Sequence, residues 1–208
     1  STNPYDGRAR VAEFKRLVHA LHCQGIRVIM DVVYNHTYAT ADSPFNKIFN
    51  KYYYRLWGEN GEYFSNGSGC GNEIATERFM VRKYIIDSLV YWATEFKIDG
   101  FRFDLMGLYD IETMNKIDET LHAINPDIIL YGEGWIGGDS PLADSKRAMK
   151  LNARHTPNIA FFSDDFRDTI KGNNFENRSR GYVNGATGSE EYVKEVMCGR
   201  IPHPQIPN

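Results

Sequence analysis

Residues 98–133, IDGFRFDLMGLYDIETMNKIDETLHAINPDIILYGE, read as strand, helix, strand. Ile98–Asp104 and Ile128–Glu133 are short apolar runs of the kind that fill a buried parallel sheet. Between them Ile111, Met114, Ile117, Leu121 and Ile124 recur at helical spacing. Asp110 stands where a helix cap belongs, and Pro126 helps to end the helix. Asp104 and Glu133 are separated by 133 − 104 = 29 residues, close to one βαβ repeat of roughly 30. The reading therefore places one carboxylate at the equivalent end of each of two neighbouring parallel strands.

The same alternation continues on both sides. Upstream, Val11, Phe14, Leu17, Val18 and Leu21 predict a helix that Gly25 stops, and Ile26–Val33 predicts another buried strand. Thr76 is the expected cap of a helix running from Glu77 to about Phe96, with Met80, Tyr84, Leu89 and Trp92 among its apolar positions. Ile159–Phe162 is a weaker fourth strand. The fold class is α/β with a parallel sheet. A (β/α)8 barrel and a doubly wound open sheet both put chemistry at the carboxyl ends of strands, so periodicity alone leaves both open. The chain reads as one domain over residues 1–208. A long substrate-side loop at 37–75 interrupts it, and connections of that length are usually functional or disordered.

The formal charge is 24 − 27 = −3, with no basic stripe, which argues against nucleic acid as a partner. No apolar run approaches the roughly 20 residues of a membrane-spanning helix. Three scattered cysteines, Cys23, Cys70 and Cys198, form no CxxC pair, so neither a zinc site nor a disulfide framework is expected, and they lean towards a reducing, cytoplasmic setting. Aromatic residues make up 13% of the chain. They suit packing, and they also suit carbohydrate, whose rings present apolar C–H faces to aromatic planes.

Residues two apart in a strand share a face. Arg102 and Asp104 then point one way while Phe101 and Phe103 point towards covering helices. An inward Arg favours the charged carboxylate that a nucleophile must be, although a structural ion pair would look the same. Glu133 lies between two glycines in Tyr131-Gly-Glu-Gly-Trp135. An apolar, aromatic surround would favour its protonated form and suit a general acid. Two such carboxylates fit a retaining glycosidase, which holds its carboxyl groups about 5–5.5 Å apart. Asp31, Asn35 and His36 end the preceding strand on the same side and are candidate ligands for sugar hydroxyls. Trp135 offers a stacking surface. The cluster Tyr52–Trp57 either lines a cleft or packs the loop. Asp164 and Asp165, lacking further spaced acids, read as a solvated loop rather than a metal site.

These motifs resemble the α-amylase superfamily of glycoside hydrolases. Asp31-Val-Val-Tyr-Asn-His36, Gly100-Phe-Arg-Phe-Asp104 and Gly132-Glu-Gly134 look like its first three shared regions, in order. A narrower resemblance is to type I pullulanases, carried also by Gly69-Cys-Gly-Asn72, by Asp99 through Gly107, by Tyr131 through Trp135 and by Ser1-Thr-Asn-Pro-Tyr-Asp6. The resemblance implies a (β/α)8 barrel, with Asp104 as nucleophile and Glu133 as acid/base. It implies that Arg102 orients Asp104, that His36 contacts the sugar whose bond is cut, that Trp135 stacks on the leaving-group side, and that Asp31 supports Arg102. The implied substrate is an α-glucan with α-1,6 branches. The alternatives are α-1,4 hydrolysis or glucosyl transfer within the same superfamily, or glucan binding without catalysis. No cofactor is required, and structural calcium, known in some relatives, is not indicated. The His-Asp dipeptide that holds the family's third carboxylate does not occur here. The expectation is therefore a partial barrel, about strands three to six, inactive alone.

Overall fold

A computed structural model describes residues 4–200. The chain groups into two compact units that divide between Phe161 and Phe162. The first holds helix α1 (Gly7–Cys23), strand β1 (Ile29–Val32), the short helix α2 (Pro44–Ile48), strands β2 (Leu56–Trp57) and β3 (Tyr63–Phe64), helix α3 (Phe79–Glu95), strand β4 (Gly100–Phe103), helix α4 (Ile111–Ile124) and strands β5 (Ile129–Gly132) and β6 (Ala160–Phe161).

β1, β4, β5 and β6 form one parallel sheet in that order. Each strand is narrower than its apolar run, because the flanking residues carry only isolated ladder bonds. Asp104 N–H still donates to Val32 O, and Glu133 N–H to Phe103 O, each at 3.1 Å. The apolar face of β4, Phe101 and Phe103, is fully buried with Ile85 and Leu89 of α3 and Met114 and Ile117 of α4. Arg102, between the two phenylalanines, faces the other side of the sheet, as the alternation requires.

Helix α4 begins as its sequence dictates: Asp110 caps it by accepting from the Thr113 N–H at 2.9 Å. Helix α3 does not. Its first turn is set by Arg78, without a side-chain cap, and it buries Val81, Ile85, Leu89 and Ala93. Met80 and Tyr84 lie outside this buried stripe, and Tyr84 packs edge-on against Tyr34 and Phe45. Thr76, expected as the cap, is instead fully buried: its hydroxyl donates to Asp110 Oδ2 at 2.7 Å and accepts from Arg55. A hydroxyl can close either a helix end or a buried network, and here it joins the network, supplying one further bond each to Asp110 and Arg55.

The segment at 37–75 is not structureless. It carries α2, capped by Ser43, and the β2–β3 hairpin, whose strands pair Leu56 with Phe64 and Trp57 with Tyr63. In the second unit, helix α5 (Asp164–Lys171) is capped by Ser163, and α6 spans Glu190–Met197. Asp164 and Asp165 occupy the first turn of α5 rather than a loop. Acidic side chains are favoured there because they meet the unpaired N–H groups of the helix start.

Candidate active site

Strand register builds the site. Asp31 of β1, Arg102 of β4 and Tyr131 of β5 stand side by side, so Asp104 and Glu133 leave adjacent strands one residue past a matched pair, Phe103 and Gly132. The Arg102 guanidinium joins all three acids. Its Nη1 donates to Asp31 Oδ1 at 2.8 Å and to Asp104 Oδ1 at 3.0 Å, while Nη2 donates to Glu133 Oε1 at 2.6 Å. Burial alone would lower the pKa of Arg102. Hydrogen bonds to Asp31 and Asp104, with the charges of Glu133 and Asp31, outweigh burial and hold it above its ordinary value. The site therefore contains one fixed cation among three carboxylates, all on one face.

The second Glu133 oxygen, Oε2, accepts from the Leu105 N–H at 3.1 Å. Leu105 adopts φ 39°, ψ 51°, a left-handed backbone that a branched side chain disfavours. Strain of this kind concentrates at functional sites. The bend turns the N–H that follows Asp104 towards Glu133. This corrects the apolar pocket expected for Glu133: its neighbours are a guanidinium and a backbone N–H, and both oxygens accept.

Asn35 was expected to meet sugar hydroxyls. It is fully buried, and its amide nitrogen donates to Asp104 O at 2.6 Å and to Asp104 Oδ2 at 3.0 Å. Its oxygen pairs with His36 Nδ1. Asn35 thus holds Asp104 and aims His36, and its own polar atoms are occupied. Both Asp104 oxygens are engaged, Oδ1 by Arg102 and Oδ2 by Asn35. His36 is half-buried, and Asp31 is the most open of the group, with 65% of its side chain exposed.

Trp135 follows Glu133 by two residues and is half-buried. Its main chain is pressed against Gly107, where an added Cβ would stand 2.5 Å from Trp135 O. The same holds at Gly134, where a Cβ would meet the Phe161 ring at 2.6 Å. Glycine at 107 lets the loops after β4 and β5 lie together, and glycine at 134 admits the Phe161 ring of β6.

The aromatic cluster resolves mostly as packing. Tyr53 stacks on Phe45 with ring centres 4.8 Å apart, Tyr52 packs on Tyr53, and Tyr54 is fully buried with its hydroxyl on Ser43 Oγ at 2.5 Å. Trp57 stands apart and is 42% exposed.

Two charged residues escaped sequence reasoning. Arg55 and Glu73 are buried in the 37–75 segment and pair at 3.0 Å. Ser140 Oγ donates to Glu73 Oε1 at 2.6 Å and Ser65 Oγ to Glu73 Oε2 at 3.0 Å. The N–H groups of Gly137 and Gly138 bond Gly67 O at 2.9 and 2.8 Å. The loop that carries Trp135 is thereby fastened to the segment.

Among the described residues no three His, Cys, Asp or Glu side chains converge to hold a metal ion. No described helix is long and apolar enough to cross a membrane. The three cysteines are unpaired, Cys23 and Cys70 being exposed.

Comparison with known proteins gives a consistent answer. The chain is 43% identical over 199 residues to the pullulanase of Bacillus subtilis (strain 168), covering 96% of this chain and 27% of that protein. The crystal structure of pullulanase from Paenibacillus barengoltzii, in complex with maltohexaose and alpha-cyclodextrin, superposes with TM-score 0.93 at 45% identity, covering 100% of this chain and 32% of that one. The chain is homologous to the pullulanases. Pullulanase A of Streptococcus pneumoniae serotype 4 is also 34% identical over 206 residues, covering 98% of this chain and 15% of that relative. The chain thus spans between about a seventh and a third of the length of these pullulanases. No protein-family model matches it. Of the sequence motif Ser1 through Asp6, residues 1–3 lie outside the described residues.

Proposed function

We propose that this chain carries the two catalytic carboxylates of a retaining glycosidase that cleaves α-1,6 branch linkages in pullulan, amylopectin or related α-glucans. In this reading the sheet β1–β4–β5–β6 is an arc of a (β/α)8 barrel, about strands three to six. The observation that carries the proposal is one guanidinium, Arg102, spanning Asp104 and Glu133 at the carboxyl ends of adjacent parallel strands. A shared guanidinium keeps the two carboxyl groups on one face of adjacent strands, which supports the double displacement that retaining enzymes use.

Asp104 attacks the anomeric carbon as the glycosidic bond breaks, and Glu133 gives its proton to the leaving oxygen. A glycosyl ester on Asp104 results. Glu133 then takes a proton from water, the water oxygen bonds to the anomeric carbon, and Asp104 leaves as carboxylate. Both Glu133 oxygens accept hydrogen bonds. Asn35 and Arg102 fix the two Asp104 oxygens, leaving only small rotations for attack. His36 and Trp135 would contact the glucan on either side, and Asp31 would steady Arg102. This chemistry runs through carboxylates and calls for no cofactor.

The test is a chimera in which residues 1–208 replace the matching stretch of the Bacillus subtilis relative. A folded chimera is expected to release maltotriose from pullulan and to leave linear amylose largely intact. A cooperative thermal transition without pullulan cleavage overturns the proposal, and cleavage of amylose alone overturns the linkage assignment.

A further inference from the structure

Beside the strand-end site the first unit has a second concave surface, a groove of about 540 Å³ lined by Trp57, Ile136, Asp139, Ser140, Asp144 and Arg147. Nothing in the chemistry proposed above uses it. Its walls are of two kinds. One is the indole of Trp57, held on a hairpin whose short strands pair it with Tyr63, itself 70% exposed. The other is the turn at 139–144, which carries two exposed carboxylates, Asp139 and Asp144.

The turn is fixed from beneath. Arg147 is 9% exposed, and each of its three nitrogens is engaged: Nε on Leu142 O at 2.7 Å, Nη2 on Ser140 O at 2.8 Å, and Nη1 on Asp144 Oδ1 at 2.7 Å. Ser140 Oγ is committed to Glu73, so it is a strut and not a binding group. Asn152 Nδ2 adds a bond to Asp144 O at 2.7 Å. What faces outward on this rigid turn is acceptor oxygen: the Asp139 carboxylate, and the remaining oxygen of Asp144, whose side chain is 88% exposed. Arg147 compensates one of the two charges, so the groove is no strong cation trap.

An exposed aromatic plane opposite fixed acceptor oxygens matches a neutral polyol with one apolar face and an edge of hydroxyl donors. That is a glucosyl unit: its C–H face lies on the indole and its hydroxyls donate to the carboxylates. We propose that this groove is a second α-glucan-binding site, separate from the strand-end carboxylates, with Trp57 as its platform and Asp139 and Asp144 as its hydroxyl acceptors. The choice of glucan among polyols rests on the function proposed above. Because Ile136 in the groove wall is the residue after Trp135, a glucan held here lies along the loop that also borders Glu133.

The experiment is titration of the 208-residue chain with maltohexaose, followed calorimetrically, in a Trp135→Ala background that weakens the strand-end site. Trp57→Ala is expected to reduce the remaining affinity by about tenfold or more, Trp57→Phe to retain most of it, and Asp144→Ala to reduce it severalfold. Each variant is checked for an unchanged thermal transition, and graded behaviour of the Phe variant stands in if the Ala variant fails to fold. Affinity indifferent to both Trp57 and Asp144, or no binding while Trp57 is intact, overturns the proposal. The outcome is independent of pullulan cleavage by the chimera, so failure of the groove and failure of the catalytic reading are told apart.

Discussion

Arg102 and Arg55 each gather several acceptors, yet their surroundings are opposite. Arg102 sits at the strand ends with 18% of its side chain exposed, next to Asp104 at 26% and Glu133 at 19%. Arg55 is 2% exposed and Glu73 is sealed at 0%. Around Arg55 every donor is answered: Nη1 by Glu73 and Leu108 O, Nη2 by Thr76 and Glu77, and Nε by Glu77. Removing charges from water is costly, so a sealed pair persists only when all its lone pairs and protons are met. The strand-end cluster keeps one side open, and a ligand can exchange for part of its hydrogen bonding. The same ion types therefore form a sealed rivet in one place and a cluster open to a ligand in the other.

The largest effect that tests this contrast is on turnover. Asp104→Asn in the chimera should lower pullulan hydrolysis by several orders of magnitude, since it removes the proposed nucleophile while keeping the shape. Stability of the 208-residue chain, read from urea midpoints, should move by no more than about 1 kcal/mol, because Asn keeps the shape and an oxygen acceptor, and the pair lost is partly open to solvent. A loss of stability without loss of turnover would place Asp104 among the structural acids.

Glu73→Ala should behave inversely. Removing a sealed carboxylate typically costs about 3–5 kcal/mol, because Arg55 keeps only the half-open Glu77 as its ion-pair partner and the hydroxyls of Ser65 and Ser140 lose their buried acceptor. Urea midpoints should fall far more than for Asp104→Asn. Comparable shifts for the two variants would erase the distinction between rivet and open cluster.

The strand-end cluster was legible in sequence and the rivet was not, for a physical reason. β-branched and aromatic runs announce strands, and period two assigns Arg102 and Asp104 to one face, so the ends of β4 and β5 could be placed in register from spacing alone. Glu73 follows a stretch rich in Gly, Ser and Asn that reads as solvated loop, and no local pattern shows that Arg55 waits for it across the β2–β3 hairpin. Thr76 was assigned to a helix cap for the same reason: its true partners, Asp110 and Arg55, are remote in sequence. Two-residue strands such as Leu56–Trp57 are too short to show alternation. The left-handed turn at Leu105 has no residue signature at all, since Leu is among the side chains least suited to it. Asn35 was found, but its burial, and hence its service to Asp104 rather than to sugar, depends on tertiary packing.

A smaller effect probes the floor of the open cluster. Tyr109 is fully buried, and its hydroxyl accepts from the Tyr34 N–H at 3.1 Å. Burial pushes its phenol well above the ordinary value of 10.0; the Tyr34 N–H bond opposes this, and the charges of Tyr34, Asp104 and Asp31 add to it. Burial likewise raises Tyr34, against a hydrogen bond with Ser88. A phenol whose pKa is higher folded than unfolded binds more protons in the native state, so stability is intact below about pH 10 and falls as pH rises beyond it. The slope should approach about 1.4 kcal/mol per pH unit for each such tyrosine. Tyr109→Phe should cost roughly 1–3 kcal/mol at neutral pH, because the Tyr34 N–H loses its acceptor in a buried place, and should flatten the alkaline decline. Stability profiles of the 208-residue chain and the variant that stay parallel between pH 9 and 11 would show that the Tyr109 hydroxyl reaches solvent. The layer beneath Asp31 and Asp104 would then be as open as the carboxylates above it, and the contrast with the sealed Arg55 network would narrow to Glu73 alone.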